Sequence, residues 1–230
     1  MKKTITSLLL IIFISTLTYG QTSVTATAVS KPLAVTVLTP AIADTLSLEK
    51  SSEMLDEATY WNIIDNSIKN SSNQADQEVV LIADLEKLSP KEIVGFRLRT
   101  DKLLFDTYNQ ELWCAAYIVN NGSTDGGFDY FRSWLLSKGK DAYYSAVKNT
   151  DAILKIIDAS EEEEYEFEAF GYVAVSAFKA VTNQELFDYI DYDKFTTNDE
   201  NYPILKFTWN VDEPETMQKV CPKLYERFNK

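Results

Sequence analysis

There is no histidine in the 230-residue sequence. Catalysis by a Ser-His-Asp or Cys-His arrangement is therefore excluded. So are zinc sites built on imidazole and an imidazole switch near neutral pH. Any acid–base chemistry has to rest on carboxylates, Lys, Tyr, Ser or Thr. Cysteine is nearly as scarce, with only Cys114 and Cys221. Cys114 falls in the apolar stretch 112–119, where it reads as a small buried residue, and Cys221 adjoins Pro222. Sequence alone does not establish the geometry that a disulfide requires. Positive charge is also short: 22 Lys and Arg stand against 35 Asp and Glu, a formal net charge of −13. A surface that negative repels phosphate backbones and anionic lipid headgroups, so no nucleic-acid partner is expected. Basic proteins or cations suit it better, although the same charge also serves plain solubility.

Long apolar runs are missing too. The stretch 8–17 falls far short of the roughly 20 residues that span a bilayer, and no later segment is apolar enough. What precedes and follows that stretch gives it another meaning. Met1, Lys2 and Lys3 form a basic start, and Thr18 and Gly20 offer small residues at the positions a signal peptidase reads, with cleavage after Gly20. Residues 1–20 are expected to be a secretory signal, with the mature protein exported to a periplasmic or extracellular space and not stably inserted in the membrane. Residues 21–52, rich in Ser, Thr, Ala and Val, read as a tether; within it 32–38 has enough β-branched content for a strand. The domain itself is expected over 53–230. The mature part, about 210 residues after the signal, is large enough to bury roughly 70% of its unfolded surface, and an aromatic content of 13% supports a packed core.

The periodicity predicts an all-α domain of about eight helices around a buried central one. Ala58, Trp61, Ile64 and Ile68 recur at helical spacing after Asp56. A second helix carries Val80, Leu81, Leu85 and Leu88. Ser89-Pro90-Lys91-Glu92 is a capping box with Pro at the first helical position, opening a helix that carries Ile93, Phe96, Leu103 and Leu104. The stretch 112–120 is almost wholly apolar and reads as the central helix. Gly122 suits a left-handed cap behind it. A helix resumes by Phe128, and Gly139 stops it. Two short helices follow at 142–148 and 152–157, with Asp151 as a cap of the second. The acidic run 161–164 is placed at the N-terminus of a further helix, expected to bury Tyr165, Tyr172, Val173 and Ser176. The tail is aromatic and irregular, with a helix after Pro214.

The informative stretch is 112–139, where a buried helix runs into a Gly-rich polar loop and then an aromatic helix. Loops held between rigid elements are where sites concentrate. The run Leu112-Trp113-Cys114-Ala115-Ala116-Tyr117-Ile118-Val119-Asn120-Asn121-Gly122-Ser123-Thr124-Asp125-Gly126-Gly127-Phe128-Asp129-Tyr130-Phe131-Arg132-Ser133-Trp134-Leu135 resembles the core motif of the domain of unknown function 4240 family. Tyr60-Trp61 with Ile64, Leu88 to Ile93 with Phe96, and Asn149-Thr150-Asp151 are similar as well. The resemblance covers about 54–181, with a fainter echo at Trp209 and at 222–225. It implies no activity. The family's loop usually carries two adjacent acidic residues, whereas here Asp125 is followed by Gly126.

Three readings of this segment stand side by side. In the first, the polar residues satisfy helix ends: Asp125 caps the helix that starts near Gly127, and Asp129 pairs with Arg132 at i,i+3. In the second, Trp113, Tyr117, Asn120, Asn121, Tyr130 and Trp134 line a ligand or peptide cleft, with Asp125, Asp129 and Arg132 as polar contacts. In the third, a hydrolase uses Asp125 or Asp129 as base and Arg132 or loop amides as anion stabiliser. A calcium site is weaker, since hard cations want several oxygens at a defined spacing. No metal or cofactor is expected. The preferred function is an acidic binding protein acting through 120–134, its partner a basic exported protein or a small ligand.

Overall fold

A computed structural model describes residues 48–157 and 165–229 of the chain. The expected signal peptide, most of the tether and the acidic run 161–164 lie outside the described residues. Among those described, the fold is all-α, with ten α-helices and several short 3-10 turns. The order is α1 (Glu57–Lys69), α2 (Gln74–Leu85), α3 (Pro90–Asp106), α4 (Gln110–Val119), α5 (Asp125–Ser137), α6 (Lys140–Lys148), α7 (Ile153–Ile157), α8 (Val173–Thr182), α9 (Pro214–Val220) and α10 (Pro222–Phe228).

Local chemistry starts these helices. Asp56 caps α1 through the Thr59 amide at 2.9 Å, Asn73 caps α2 and Asn109 caps α4. The capping box of α3 is complete: the Ser89 hydroxyl receives the Glu92 amide, and the Glu92 carboxylate receives the Ser89 amide at 2.9 Å. Backbone from the segment before α1 joins the domain ahead of the expected boundary at 53. Ser51 donates to the Tyr189 carbonyl at 2.9 Å and accepts from the Asp191 amide at 3.0 Å.

α8 lies against α2 and α3, α4 against α5, and the α9–α10 hairpin against α4. The core runs from Tyr60, Trp61 and Ile64 through Leu81, Leu85, Ile93 and Phe96 to Phe128, Phe131, Trp134 and Phe178. A buried polar link stitches three helices together. Gln77 of α2 donates to the Ser67 hydroxyl of α1 at 3.1 Å and to the Ser137 carbonyl of α5 at 2.9 Å. Such groups stay buried because their hydrogen bonds are met.

Several expectations shift in detail. The face of α1 that enters the core is Tyr60, Trp61, Ile64 and Ser67, leaving Ala58 and Ile68 exposed. Leu88 follows α2 rather than closing it. Residues 168–172 form a 3-10 turn ahead of α8. Three residues per turn rather than 3.6 rotates the following face, so Tyr165 and Val173 are buried while Tyr172 and Ser176 are exposed. Asp151 does not cap its own helix. Asn149 accepts the Asp151 amide, and the Asp151 carboxylate instead receives the Lys223 and Leu224 amides of α10 at 3.1 and 3.0 Å.

Candidate functional site

α4 and α5 form a hairpin across the loop 120–124. The turn needs positive φ, and two residues share it: Asn121 at 52° and Gly122 at 130°. The Gly122 amide returns to the Tyr117 carbonyl at 2.8 Å, closing the end of α4. Asn121 therefore takes the left-handed position expected of Gly122, a conformation Asn tolerates better than most residues. α5 begins at Asp125, two residues earlier than expected. Its cap is Thr124, whose hydroxyl accepts the Gly127 amide at 3.1 Å. Asp125 sits in the first turn, where the helix dipole favours its charge, rather than in the cap itself.

Arg132 anchors the hairpin. Its side chain is fully buried, and its guanidinium lies 4.7 Å from the Phe128 ring centre, 4.9 Å from Tyr202 and 5.1 Å from Tyr108. It donates to the Leu104 carbonyl at 2.6 Å and to the Tyr202 hydroxyl at 3.0 Å, and it pairs with Asp129 one turn back. Burial pushes the Tyr202 and Tyr108 phenols above their ordinary values, with the Arg132 charge opposing the rise in each. Asp129 keeps 54% of its side chain in solvent, so this ion pair has one dry end and one wet end.

The other residues of the expected cleft separate into three groups. Trp134 is fully buried, packed on Phe131 and Tyr165 at 5.6 and 5.3 Å between ring centres. Asn120 faces the same side, and its side-chain Oδ1 accepts the Tyr165 amide at 3.1 Å. Trp113 and Tyr117 are half-buried because the chain's own tail covers them. Trp113 stacks on Phe128 at 4.6 Å and meets the edge of Phe207, while Tyr117 meets Trp209. That strap, 202–209, is held by Gln110: its carbonyl receives the Trp209 indole N–H at 2.9 Å, and its side chain receives the Thr208 amide at 2.7 Å. Tyr202 closes it with a parallel stack on Tyr108, 4.0 Å between centres.

Asn121, Asp125, Asp129 and Tyr130 form the third group, on the open side. A backbone bond from Phe167 N–H to the Tyr130 carbonyl, 2.9 Å, draws the segment 165–168 along α5. It carries Glu168 to the Tyr130 hydroxyl, which donates to the carboxylate at 2.9 Å. That bond, with smaller contributions from burial and charge, raises the Tyr130 phenol. Glu166 crosses α5 at Gly127, where an added Cβ would lie 3.0 Å from a carboxylate oxygen. Tyr108, Gln110, Tyr202, Phe207 and Glu168 are the neighbours that the sequence did not single out. Trp209 alone among the strap residues had a signal there.

Among the described residues, no group of three or more carboxylates or thiols is placed to hold a metal ion, and no helix is long and apolar enough to cross a membrane. No curated protein and no solved structure matches the chain. A family model described as Protein of unknown function (DUF4240) matches residues 55–180, a span that contains α1 to α7, most of α8 and the whole α4–α5 hairpin. The chain thus belongs to the DUF4240 family of proteins of unknown function.

Proposed function

We propose that this chain is an exported binding protein whose open α5 edge takes a basic segment of a protein partner. The Phe167–Tyr130 backbone bond carries the reading, because it aligns two acid-bearing segments. Asp125 and Asp129 come from α5, and Glu168 from the 3-10 turn 168–172 ahead of α8. Tyr130 sits between them, and the exposed Tyr172 lies within electrostatic reach. Carboxylates beside aromatic rings suit Lys and Arg, which ion-pair with the first and stack on the second. The net charge of −13 steers such a partner from a distance. The basic start of the sequence and the apolar stretch 8–17 support export.

A hydrolase centred on Asp125 or Asp129 has less to support it. Its anion stabiliser, Arg132, is walled in by three rings and already engaged by Asp129. The test is a panel of Arg- and Lys-rich peptides, titrated by fluorescence anisotropy at low and high ionic strength. Binding at low salt, weakened by high salt and by combining Asp125→Asn with Glu168→Gln, is expected. A wild-type protein that binds none of these peptides at low salt, or a double variant that binds them equally well, overturns the proposal.

A further inference from the structure

The two cysteines meet in the interior, although they are far apart in sequence. Cys114 lies on α4, and Cys221 joins α9 to α10. Both are buried and both are free thiols. Their surroundings are reciprocal. The Cys114 sulfur lies 3.9 Å from the Met217 carbonyl, one turn ahead of Cys221. The Cys221 sulfur lies 3.7 Å from the Glu111 carbonyl, nearly one turn ahead of Cys114. Each thiol therefore sits over the backbone that carries the other, which places the two side chains side by side. Thr150 completes the nest, its hydroxyl 3.3 Å from the Cys221 sulfur.

We infer that Cys114 and Cys221 are a disulfide site that clamps the C-terminal α9–α10 hairpin onto the central helix α4. Either thiol can lead the exchange, here Cys221. Its thiolate attacks a small-molecule or protein disulfide, forming a mixed disulfide and releasing one thiolate. Cys114, deprotonated, then attacks the Cys221 sulfur and expels the second thiolate. Two protein thiols are oxidised and one external disulfide is reduced to two thiols, the two protons of Cys114 and Cys221 passing to the two leaving thiolates, so no proton is gained or lost overall. Because both sulfurs are buried, the exchange precedes docking of the hairpin or follows its local release. The bond closes a loop of roughly 100 residues, in the range where cross-linking restricts the unfolded chain strongly. It also ties down the strap 202–209, whose end enters α9 beside the helix it covers.

The experiment refolds the full chain from reductant and denaturant into a buffer of reduced and oxidised glutathione. The protein is then unfolded in a thiol-alkylating reagent and weighed by intact mass spectrometry. A monomer lighter by two hydrogens that takes up no alkyl group is expected. Its Tm should exceed that of the reduced protein by roughly 5–15 °C, and Cys221→Ala should abolish that difference. A wild-type monomer that takes up two alkyl groups, a disulfide-linked dimer, or an oxidised form no more heat-stable than the reduced one overturns the inference. The measurement on the wild-type chain does not depend on any variant folding, or on peptide binding at the α5 edge.

Discussion

Replacing Arg132 separates what its charge does from what its volume does. Arg132→Met keeps an unbranched stem among Phe128, Tyr108 and Tyr202 but removes the guanidinium. Three hydrogen bonds disappear: those to the Leu104 carbonyl and the Tyr202 hydroxyl, worth about 1.5–3 kcal/mol each, and the half-exposed pair with Asp129, worth about 0–1 kcal/mol, together with ring contacts of about 0.5–1 kcal/mol apiece. Opposing this, a charge no longer has to be desolvated, a saving of several kcal/mol. Neither the Leu104 carbonyl nor Asp129 is stranded. The Leu104 carbonyl keeps the Thr107 hydroxyl at 2.9 Å and the Thr107 amide at 3.2 Å, and Asp129 faces water. The net loss expected is about 1–2 kcal/mol.

Arg132→Ala adds an unfilled space between three rings, which takes the loss to about 3–5 kcal/mol. Asp129→Asn leaves the cage filled and costs about 1 kcal/mol at most, because the pair is exposed at that end. Urea unfolding followed by far-UV circular dichroism gives the order through the midpoint at constant m-value. The reasoning predicts Ala as the most damaging, Met intermediate and Asp129→Asn the mildest. If Met falls as far as Ala, the hydrogen bonds outweigh packing and desolvation. If Ala stays within about 1 kcal/mol of the wild type, the cage is not a packed unit and the account of the site fails.

Gly95 tests a close approach inside α3. An added Cβ would lie 2.9 Å from the Leu55 backbone nitrogen, which donates to the Gly95 carbonyl at 2.9 Å. Gly95→Ala gains about 1 kcal/mol in helix propensity but overpacks against rigid backbone at about 1–3 kcal/mol, so a net loss in urea midpoint is expected, and a gain contradicts the packing. Glu92 tests the capping box by pH. Its hydrogen bonds from Ser89 hold its carboxyl below the ordinary value, so its contribution is complete above the unfolded value of about 4.3 and is lost as pH falls through the depressed one. The Tm gap between the wild type and Glu92→Gln should be open at neutral pH and close as the solution is acidified below about pH 4, and a gap independent of pH removes the charge from the explanation.

Helix starts were legible where the signal is local. Ser89, Pro90 and Glu92 act on one another within a single turn, so four residues suffice to read them. Thr124 and Asp125 are both capable caps one residue apart, and the turn through Asn121 and Gly122 decides between them. That choice depends on backbone direction, which composition does not carry. The central helix was legible from its apolar run, and the Asp129–Arg132 pair from its spacing. The partners of Arg132 were not, because Tyr202 arrives from 70 residues away along a segment with no periodicity. Asp151 misled for the same reason: its type announces a cap, but the helix it caps begins about 70 residues later. Tyr172 and Ser176 were misassigned because Tyr172 closes a 3-10 turn that changes the angular step just ahead of Ser176.

The family match ends at 180, yet the motif it contains is completed by residues beyond that point. Tyr202 closes the Arg132 cage, Phe207 and Trp209 cover Trp113 and Tyr117, and Cys221 meets Cys114. Much of what makes the motif conspicuous is therefore a receptor for the chain's own tail. Its aromatic and basic members are turned inward by that tail, so their substitution should register first in stability. Asp125 and Tyr130 lie outside that packing, Tyr130 with Glu168 rather than the tail as its neighbour, while Asp129 links the two sets through its pair with Arg132. A binding defect without loss of stability is expected from Asp125, Tyr130 and Glu168, which is why they have to be varied separately from the Arg132 cage and from Asp129 before any function is attributed to the motif as a whole.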